Sequence, residues 1–318
     1  MFRNRLNVMG RSKKGLENSR GLKPRSGHEF NPTPSQSPKS NAKFSNPSPS
    51  YNLVDKQTVA ITGAGSGIGL STALKFYNEG WALSLCDLNL DNFKTLITEL
   101  KLDVRRIYFQ EMDVSDRKAC EKWIQATVKK FGRLDCLICN AGIAHRSRAV
   151  DTDPSIIEKI MAVNFYSVVY LCHAAIPYIQ KVNGSIVGIS SVAGFSPLYG
   201  RTGYVASKHA LAGYLETIRS ETEPNIHTCV VYPSFVKTSF DKNTLDGSGK
   251  ILNRDKPLIG KPLTPESIAD SIYYAVIHRK KRLLLSSIAK ISYYLSRILP
   301  DVFMAIMKKK TESEFIKR

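Results

Sequence analysis

From Val54 to Ser286 short apolar runs alternate with longer amphipathic stretches, and this alternation leaves few folds open. The runs are 57-QTVAIT-62, 81-WALSLCD-87, 106-RIYFQEMD-113, 134-LDCLICN-140, 185-SIVGISS-191, 226-IHTCVVYP-233 and 282-RLLLS-286. Helical periodicity fills the gaps: to about Glu79, from Asp91, near 116–131, from Pro154, around Tyr204 and from Pro265. Strands covered on both faces read as continuous apolar runs, because neither side meets water. The pattern therefore predicts an α/β chain, a Rossmann-type doubly wound parallel sheet of about seven strands with helices on both faces. No internal repeat is visible.

The chain carries a formal charge of +19 over 318 residues, which raises the question of nucleic acid. The distribution of charge answers it. Residues 1–50 hold ten Lys/Arg against two Glu, and residues 279–318 hold eleven against three acids, so each end carries +8 and the middle only +3. No basic face and no nucleic-acid module motif emerges, and no nucleic-acid partner is expected. Basic ends suit solvated tails or an anionic membrane surface. Residues 1–50 are polar, rich in Ser, Pro and Asn, and read as a disordered tail. Their opening, 1-MFRNRLNVMGRSKK-14, is Arg-rich and acid-free as transit peptides are, but Glu17, Glu29 and the prolines break the pattern, so an organelle address is the minor reading. No run reaches the ~18 apolar residues of a spanning helix, and no secretory signal is expected. Five of the six cysteines lie in apolar runs, which suits reduced thiols and a cytoplasmic setting. Cys136 and Cys139 form C-x-x-C, but inside an expected strand, where positions i and i+3 point to opposite faces. A metal or redox site is not expected there.

The first strand runs into 62-TGAGSGIG-69. Glycines 63, 67 and 69 fall where strand becomes helix, which lets backbone approach a pyrophosphate and aims helix N–H groups at it. Eighteen residues past Gly69 the second strand ends in Asp87, whose carboxylate can accept from a ribose 2′-hydroxyl and repels a 2′-phosphate. Ser66, not Lys or Arg, precedes Gly67. Both features favour NAD over NADP.

With these motifs in order the chain resembles the short-chain dehydrogenase/reductase family in its compact single-domain form, over roughly residues 54–286. The resemblance is carried by TGxxxGIG at 62–69, Asp113-Val114 after strand three, 140-NAG-142 after strand four, Asn164 in the long helix, Ser191 after strand five and Y-x-x-x-K at 204–208, with Ser191 thirteen residues before Tyr204. It implies hydride transfer between a nicotinamide and an alcohol or carbonyl. It also implies cofactor contacts from Gly63, Ser66, Gly67, Ile68, Gly69, Asp87, Asp113, Val114, Asn140, Ala141, Gly142, Tyr204, Lys208, Pro233, Val236 and Thr238. One departure stands out: after strand six the family usually shows Pro-Gly, and here 232-YPSFVKTSF-240 has Ser234 in the glycine position.

The chemistry needs a group that exchanges a proton with the substrate oxygen. Tyr204 and Lys208 share one helix face at i and i+4. A phenol ordinarily titrates near ~10. An ammonium at ~4 Å favours phenolate by up to ~4 kcal/mol at an effective dielectric of ~20, before desolvation is subtracted. Tyr204 is thus the expected acid/base and Lys208 its electrostatic partner, with Lys208 by resemblance also holding the nicotinamide ribose. Ser191, or its rival Ser190, ends strand five where open α/β sheets bind ligands, and can hold the substrate oxygen. Asn164 by resemblance holds a water linked to Lys208; the other reading is a satisfied buried amide. His145, Arg146 and Arg148, which follow 140-NAG-142, have two readings, the active-site mouth or a solvated loop, and the loop is the expectation. Phe195 and Tyr199 are expected to line an apolar substrate cavity, and residues 239–262 to form its lid.

Residues 287–318 exceed what the sheet needs. Ile288, Ile291, Leu295, Ile298, Val302 and Ile306 recur at helical spacing, and Pro300 should split the stretch into two helices. Two readings remain: an interfacial membrane anchor, or a helix pair over the substrate cleft or on a second subunit. By resemblance the protein is a homodimer or homotetramer built through the long helix from Pro154 and the helix of Tyr204. A catalytically idle fold-mate, a dinucleotide sensor or membrane-associated scaffold, is the alternative to an enzyme.

Overall fold

The computed structural model describes residues 56–236, 240, 243–252 and 262–316. The basic tail, Thr238 and half of the expected lid lie outside the described residues. Seven strands form one sheet: β1 Thr58–Thr62, β2 Ala82–Asp87, β3 Ile107–Glu111, β4 Cys136–Cys139, β5 Ser185–Ile189, β6 His227–Tyr232 and β7 Arg282–Leu284. Their order is β3-β2-β1-β4-β5-β6-β7 and every pairing is parallel. The expected runs all became strands, and a helix lies between each strand and the next.

Successive strand residues feed two separate cores, as the two-residue period of a strand demands. Ala60, Leu137, Ile186 and Val230 point to one face, where Trp123, Leu171 and Leu211 pack. Val59, Ile61, Cys136, Ile138, Val187 and Val231 point to the other, against Phe76, Phe93 and Ile272. The first face is covered by α3 (Arg117–Phe131), α5 (Ser167–Ile179) and α6 (Thr202–Thr222), the second by α1 (Gly67–Asn78), α2 (Asp91–Glu99) and α7 (Pro265–Ile277). Cys136 and Cys139 fall in different cores, and all six cysteines are buried free thiols. Burial pushes the Cys136 thiol well above its usual range.

The helix starts carry chemistry that fixes them. Asp116 accepts from Lys118 N and Ala119 N to cap α3, and Gly132 closes that helix at φ 74°. Asp153 caps α4 (Pro154–Met161), with Pro154 at its first position. The long apolar helix is not continuous. A π-helical turn, Ala162–Tyr166, separates α4 from α5, and Asn164 lies inside it. Such insertions re-aim side chains and recur at functional positions.

Beyond the sheet stand α8 (Ser287–Ile298), capped by Ser286, and α9 (Pro300–Ile316). Pro300 does break the stretch. Tyr293 of α8 is buried, packing edge-on to Phe195 at 5.2 Å between ring centres and lying 6.0 Å from Tyr232, with the Arg297 guanidinium 3.6 Å above its ring. Phe195 is therefore core, not cavity lining: its ring closes an aromatic cluster between β6 and α8.

Candidate active site

The strand order turns back between β1 and β4, so the connections after these two strands run to opposite faces and leave a crevice at their carboxyl ends. Two latches build its floor. Thr62 Oγ1, at the end of β1, accepts from the backbone N–H groups of Asn140 and Ala141, each at 3.0 Å. Asn140 Nδ2 returns hydrogen bonds to the carbonyls of Thr62 and Gly63, both at 3.0 Å. The glycine turn and the 140–142 segment are thereby one unit. Gly63 is left-handed at φ 66°, and a Cβ on Gly69 would overlap the Gly63 carbonyl oxygen, so the turn cannot be built from larger residues.

This unit fits a dinucleotide. At the start of α1 Ser66 makes no side-chain capping bond and no acid stands in the first turn, which suits a pyrophosphate at the positive helix end. Asp87 reaches the same place from β2: Oδ2 accepts from Gly65 N at 2.8 Å and Oδ1 from Leu88 N at 2.7 Å. Its carboxylate retains lone pairs for a ribose hydroxyl beside the turn. Val114 is buried after β3, while Asp113 is exposed and accepts from Ser115. Pro233 and Val236 follow β6; the Pro233 carbonyl accepts from Val192 N, and Val236 pairs with Leu263.

The catalytic candidates stand on the β5 and α6 side of the crevice. Lys208 is buried, with Nζ 2.8 Å from the Ile189 carbonyl and 5.9 Å from the centre of the Tyr204 ring. Burial pulls its ammonium down to about 8, so it holds its proton less tightly than an exposed lysine. Gly142 fits between Lys208 and Asn164: a Cβ there would sit 3.4 Å from Nζ and 3.2 Å from Asn164 Oδ1. Asn164 Oδ1 accepts from Ile143 N at 2.8 Å, and Nδ2 donates to Ile143 O and Ser207 Oγ, each at 2.9 Å. Ser207 in turn donates to Tyr204 O. Both donors of the Asn164 amide are spent, leaving one lone pair of Oδ1 free to hold a water.

The two serines after β5 separate clearly. Ser190 is buried and its hydroxyl donates to the Lys208 carbonyl at 3.1 Å. Ser191 is half-buried and accepts from Ala193 N at 3.2 Å. Ser190 fastens α6 to the strand, and Ser191 is the less buried of the two.

His145 departs from the solvated-loop expectation. It is fully buried, and its Nε2 accepts from Gly203 N at 2.9 Å while Nδ1 bonds Ser147 Oγ at 3.1 Å. Gly203 immediately precedes Tyr204 in the first turn of α6, where backbone donors otherwise lack partners. Burial, then the nearby Arg201 cation, holds the imidazole pKa down to about 4. Arg148 does stay exposed, paired with Asp151 at 2.6 Å. The described part of the expected lid leans on this segment: Leu245 N donates to Ala144 O, and Arg146 N to Leu245 O. Tyr199, Pro197, Leu198, Val150 and Met304 line an open groove of about 510 Å³ beside the start of α6. Ser207 is a positioning group that the sequence motifs did not single out, and the structure gives Thr62 and His145 positioning roles through backbone N–H groups.

The model of the short chain dehydrogenase family matches residues 57–248. The chain belongs to the short-chain dehydrogenase/reductase family. It is thereby an oxidoreductase of a family that uses NAD(P). A dehydrogenase/reductase SDR family member 7B from Xenopus tropicalis is 33% identical over 265 residues, covering 80% of this chain and 86% of the relative. Among solved structures, a short chain dehydrogenase/reductase from Burkholderia phymatum in complex with NAD superposes with a TM-score of 0.68 at 20% identity, over 79% of this chain and 96% of that one. An alcohol dehydrogenase from Thermococcus sibiricus complexed with 5-hydroxy-NADP gives 0.61 at 23% identity, over 72% and 94%. These two show the shared fold of the family.

Proposed function

We propose that this short-chain dehydrogenase/reductase interconverts an apolar alcohol and its ketone or aldehyde, with NAD preferred over NADP and Tyr204 as the acid/base. The observation that carries the reading is the buried Lys208 ammonium on the same helix face as Tyr204, 5.9 Å from its ring centre. A buried cation with no carboxylate partner among the described residues favours negative charge on a neighbouring phenol. In the oxidising direction Tyr204 takes the proton of the substrate hydroxyl; in the reducing direction it returns it. The bound nicotinamide supplies or accepts the hydride. Ser191 holds the substrate oxygen, Asn164 holds a water that passes protons toward Lys208, and Lys208 also binds the nicotinamide ribose. Asp87 sets the preference for NAD, supported by its place beside Gly65 and by Ser66 where a phosphate-binding cation would stand.

The apolar lining of the groove at Tyr199 supports an apolar substrate. Residues 1–50 act as a basic tail, 51–286 as the catalytic domain and 287–318 as an extension, in a cytoplasmic homodimer or homotetramer built through α4, α5 and α6. Tyr204→Phe tests the reading. It should bind NADH as the wild type does and lose activity by about 10²–10⁴-fold toward whichever carbonyl the wild type reduces. A variant that still turns over at the wild-type rate, or a wild type that binds neither NADH nor NADPH, sinks the proposal.

A further inference from the structure

The stripe of isoleucines on the C-terminal helices does not pack on the domain. The buried face of α8 and α9 is made by Ala289, Tyr293 and Phe303. Ile288, Ile291, Tyr294, Ile298, Leu299, Val302, Met304 and Ile306 are instead exposed, Ile298 at 72%. They make up eight of the seventeen large apolar side chains exposed among the described residues, gathered within nineteen positions. Scattered exposed apolar residues are normal; a cluster of this density marks an interaction surface.

Charge decides what kind of partner it fits. Across the two helices, residues 287–316, stand five cations, Lys290, Arg297, Lys308, Lys309 and Lys310, against three acids, Asp301, Glu312 and Glu314, the last two near the end of α9. A two-fold contact would set this face against its own copy and bring like charges together. An anionic lipid surface meets both features, taking the apolar side chains below its headgroups and the ammonium groups among them. We propose that α8 and α9 lie on an anionic bilayer surface through this face. Pro300 lets the two short helices follow a plane that one straight helix would not. Met304 and Lys308 of α9 also line the groove beside the start of α6, with Arg148, Val150 and Tyr199. The docked helix pair thus sets the groove beside the lipid, where an apolar substrate partitions. That last link rests on the function proposed above; the docking itself does not.

The test is vesicle co-sedimentation of the full chain, read without turnover. The probes are phosphatidylcholine vesicles with and without about one part in three phosphatidylserine. Because the N-terminal tail is also basic, the comparison that counts is between wild type and Ile291→Asp/Ile298→Asp, whose sites are exposed. The wild type should bind the anionic vesicles, and the double variant should bind at least tenfold more weakly while melting at the same temperature. Lys308→Glu/Lys309→Glu should weaken binding similarly, and raised salt should weaken it further. Equal binding by wild type and the apolar variant overturns the proposal, as does absence of wild-type binding. A wild-type dimer that the apolar variant turns into a monomer assigns the face to a second copy and overturns it too.

Discussion

The Nε2 of His145 accepts a hydrogen bond from the backbone N–H of Gly203 at 2.9 Å, joining the segment after β4 to the first turn of the helix that bears Tyr204 and Lys208. The helix has no capping side chain of its own, since Arg201 at its start makes no capping bond. The acceptor comes instead from a residue 58 positions earlier. Its ring is aimed by Ser147, which bonds Thr152 at 2.7 Å, and Thr152 bonds the Arg148 carbonyl.

Replacing His145 with Ala should leave the buried Gly203 donor without a partner and cost about 1–3 kcal/mol. The melting temperature should fall by ~2–4 °C for each kcal/mol in a domain of this size. His145→Gln, which keeps an acceptor of similar reach, should recover most of the loss. Thermal denaturation of the three proteins checks this, and an Ala variant as stable as the Gln variant would show the bond to be incidental.

The same bond predicts an acid sensitivity. Folding lowers the His145 pKa from 6.5 to about 4, by burial first and the Arg201 cation second, and the positive end of α6 acts in the same direction. Above pH 6.5 the imidazole is neutral in both states and its contribution is fully present. Between 6.5 and about 4 the unfolded chain takes up a proton that the folded chain refuses, so stability falls with pH across that window. His227, buried between Ser185 and the Lys280 carbonyl, is lowered too and adds to the slope. The urea midpoint should therefore drop between pH 7 and pH 5 in the wild type and drop less in His145→Gln. Parallel drops would assign the whole effect to other groups.

Thr62 offers a cleaner contrast, because a near-isosteric variant isolates the hydroxyl. Thr62→Val keeps the shape of the β1 end but removes the acceptor for Asn140 N and Ala141 N. Each orphaned donor costs about 1–3 kcal/mol, and the turn and the 140–142 segment should lose their common register. Thr62→Ser restores the oxygen. We expect Val to lower both the unfolding midpoint and NADH affinity, and Ser to recover both; a Val variant that binds NADH normally would mean the latch does not shape the cofactor cradle.

How much of this was legible follows from distance along the chain. The strands could be read because each apolar run is its own signal, and each was long enough to stand out against its flanks. The preference for Ser191 over Ser190 rests on spacing; the hydrogen bond of the Ser190 hydroxyl to the Lys208 carbonyl, which that spacing does not reveal, is consistent with it. The burial of His145 was not legible. It depends on Leu245, one hundred positions later, pairing alongside, and on the fold bringing Gly203 to its ring. A His-Arg-Ser-Arg run gives no local sign of that. Phe195 was misread for a similar reason, since an aromatic near a catalytic serine looks like cavity lining until Tyr232 and Tyr293 enclose it. In the C-terminal helices periodicity found both helices and the break at Pro300. It did not reveal which apolar face the domain takes, because Tyr293 and Phe303 lie among as many apolar residues as the isoleucines do.

The last prediction concerns Asp87, whose two carboxylate oxygens already serve Gly65 N and Leu88 N. Its removal therefore acts in two ways that one experiment can separate. Losing the charge removes repulsion toward a 2′-phosphate, which should improve NADPH relative to NADH by about tenfold, or ~1.4 kcal/mol. Losing the acceptor loosens the turn and should weaken both cofactors together. Asp87→Asn retains an acceptor while discharging the site, whereas Asp87→Ala discharges it and removes the acceptor. Titrations of NADH and NADPH, followed by quenching of indole emission from Trp81 and Trp123, should show the same shift in preference for both variants, with a general loss of affinity only for Ala. A wild type that binds the two cofactors equally, with no change in ratio in either variant, would mean that Asp87 serves the turn alone and does not read the ribose.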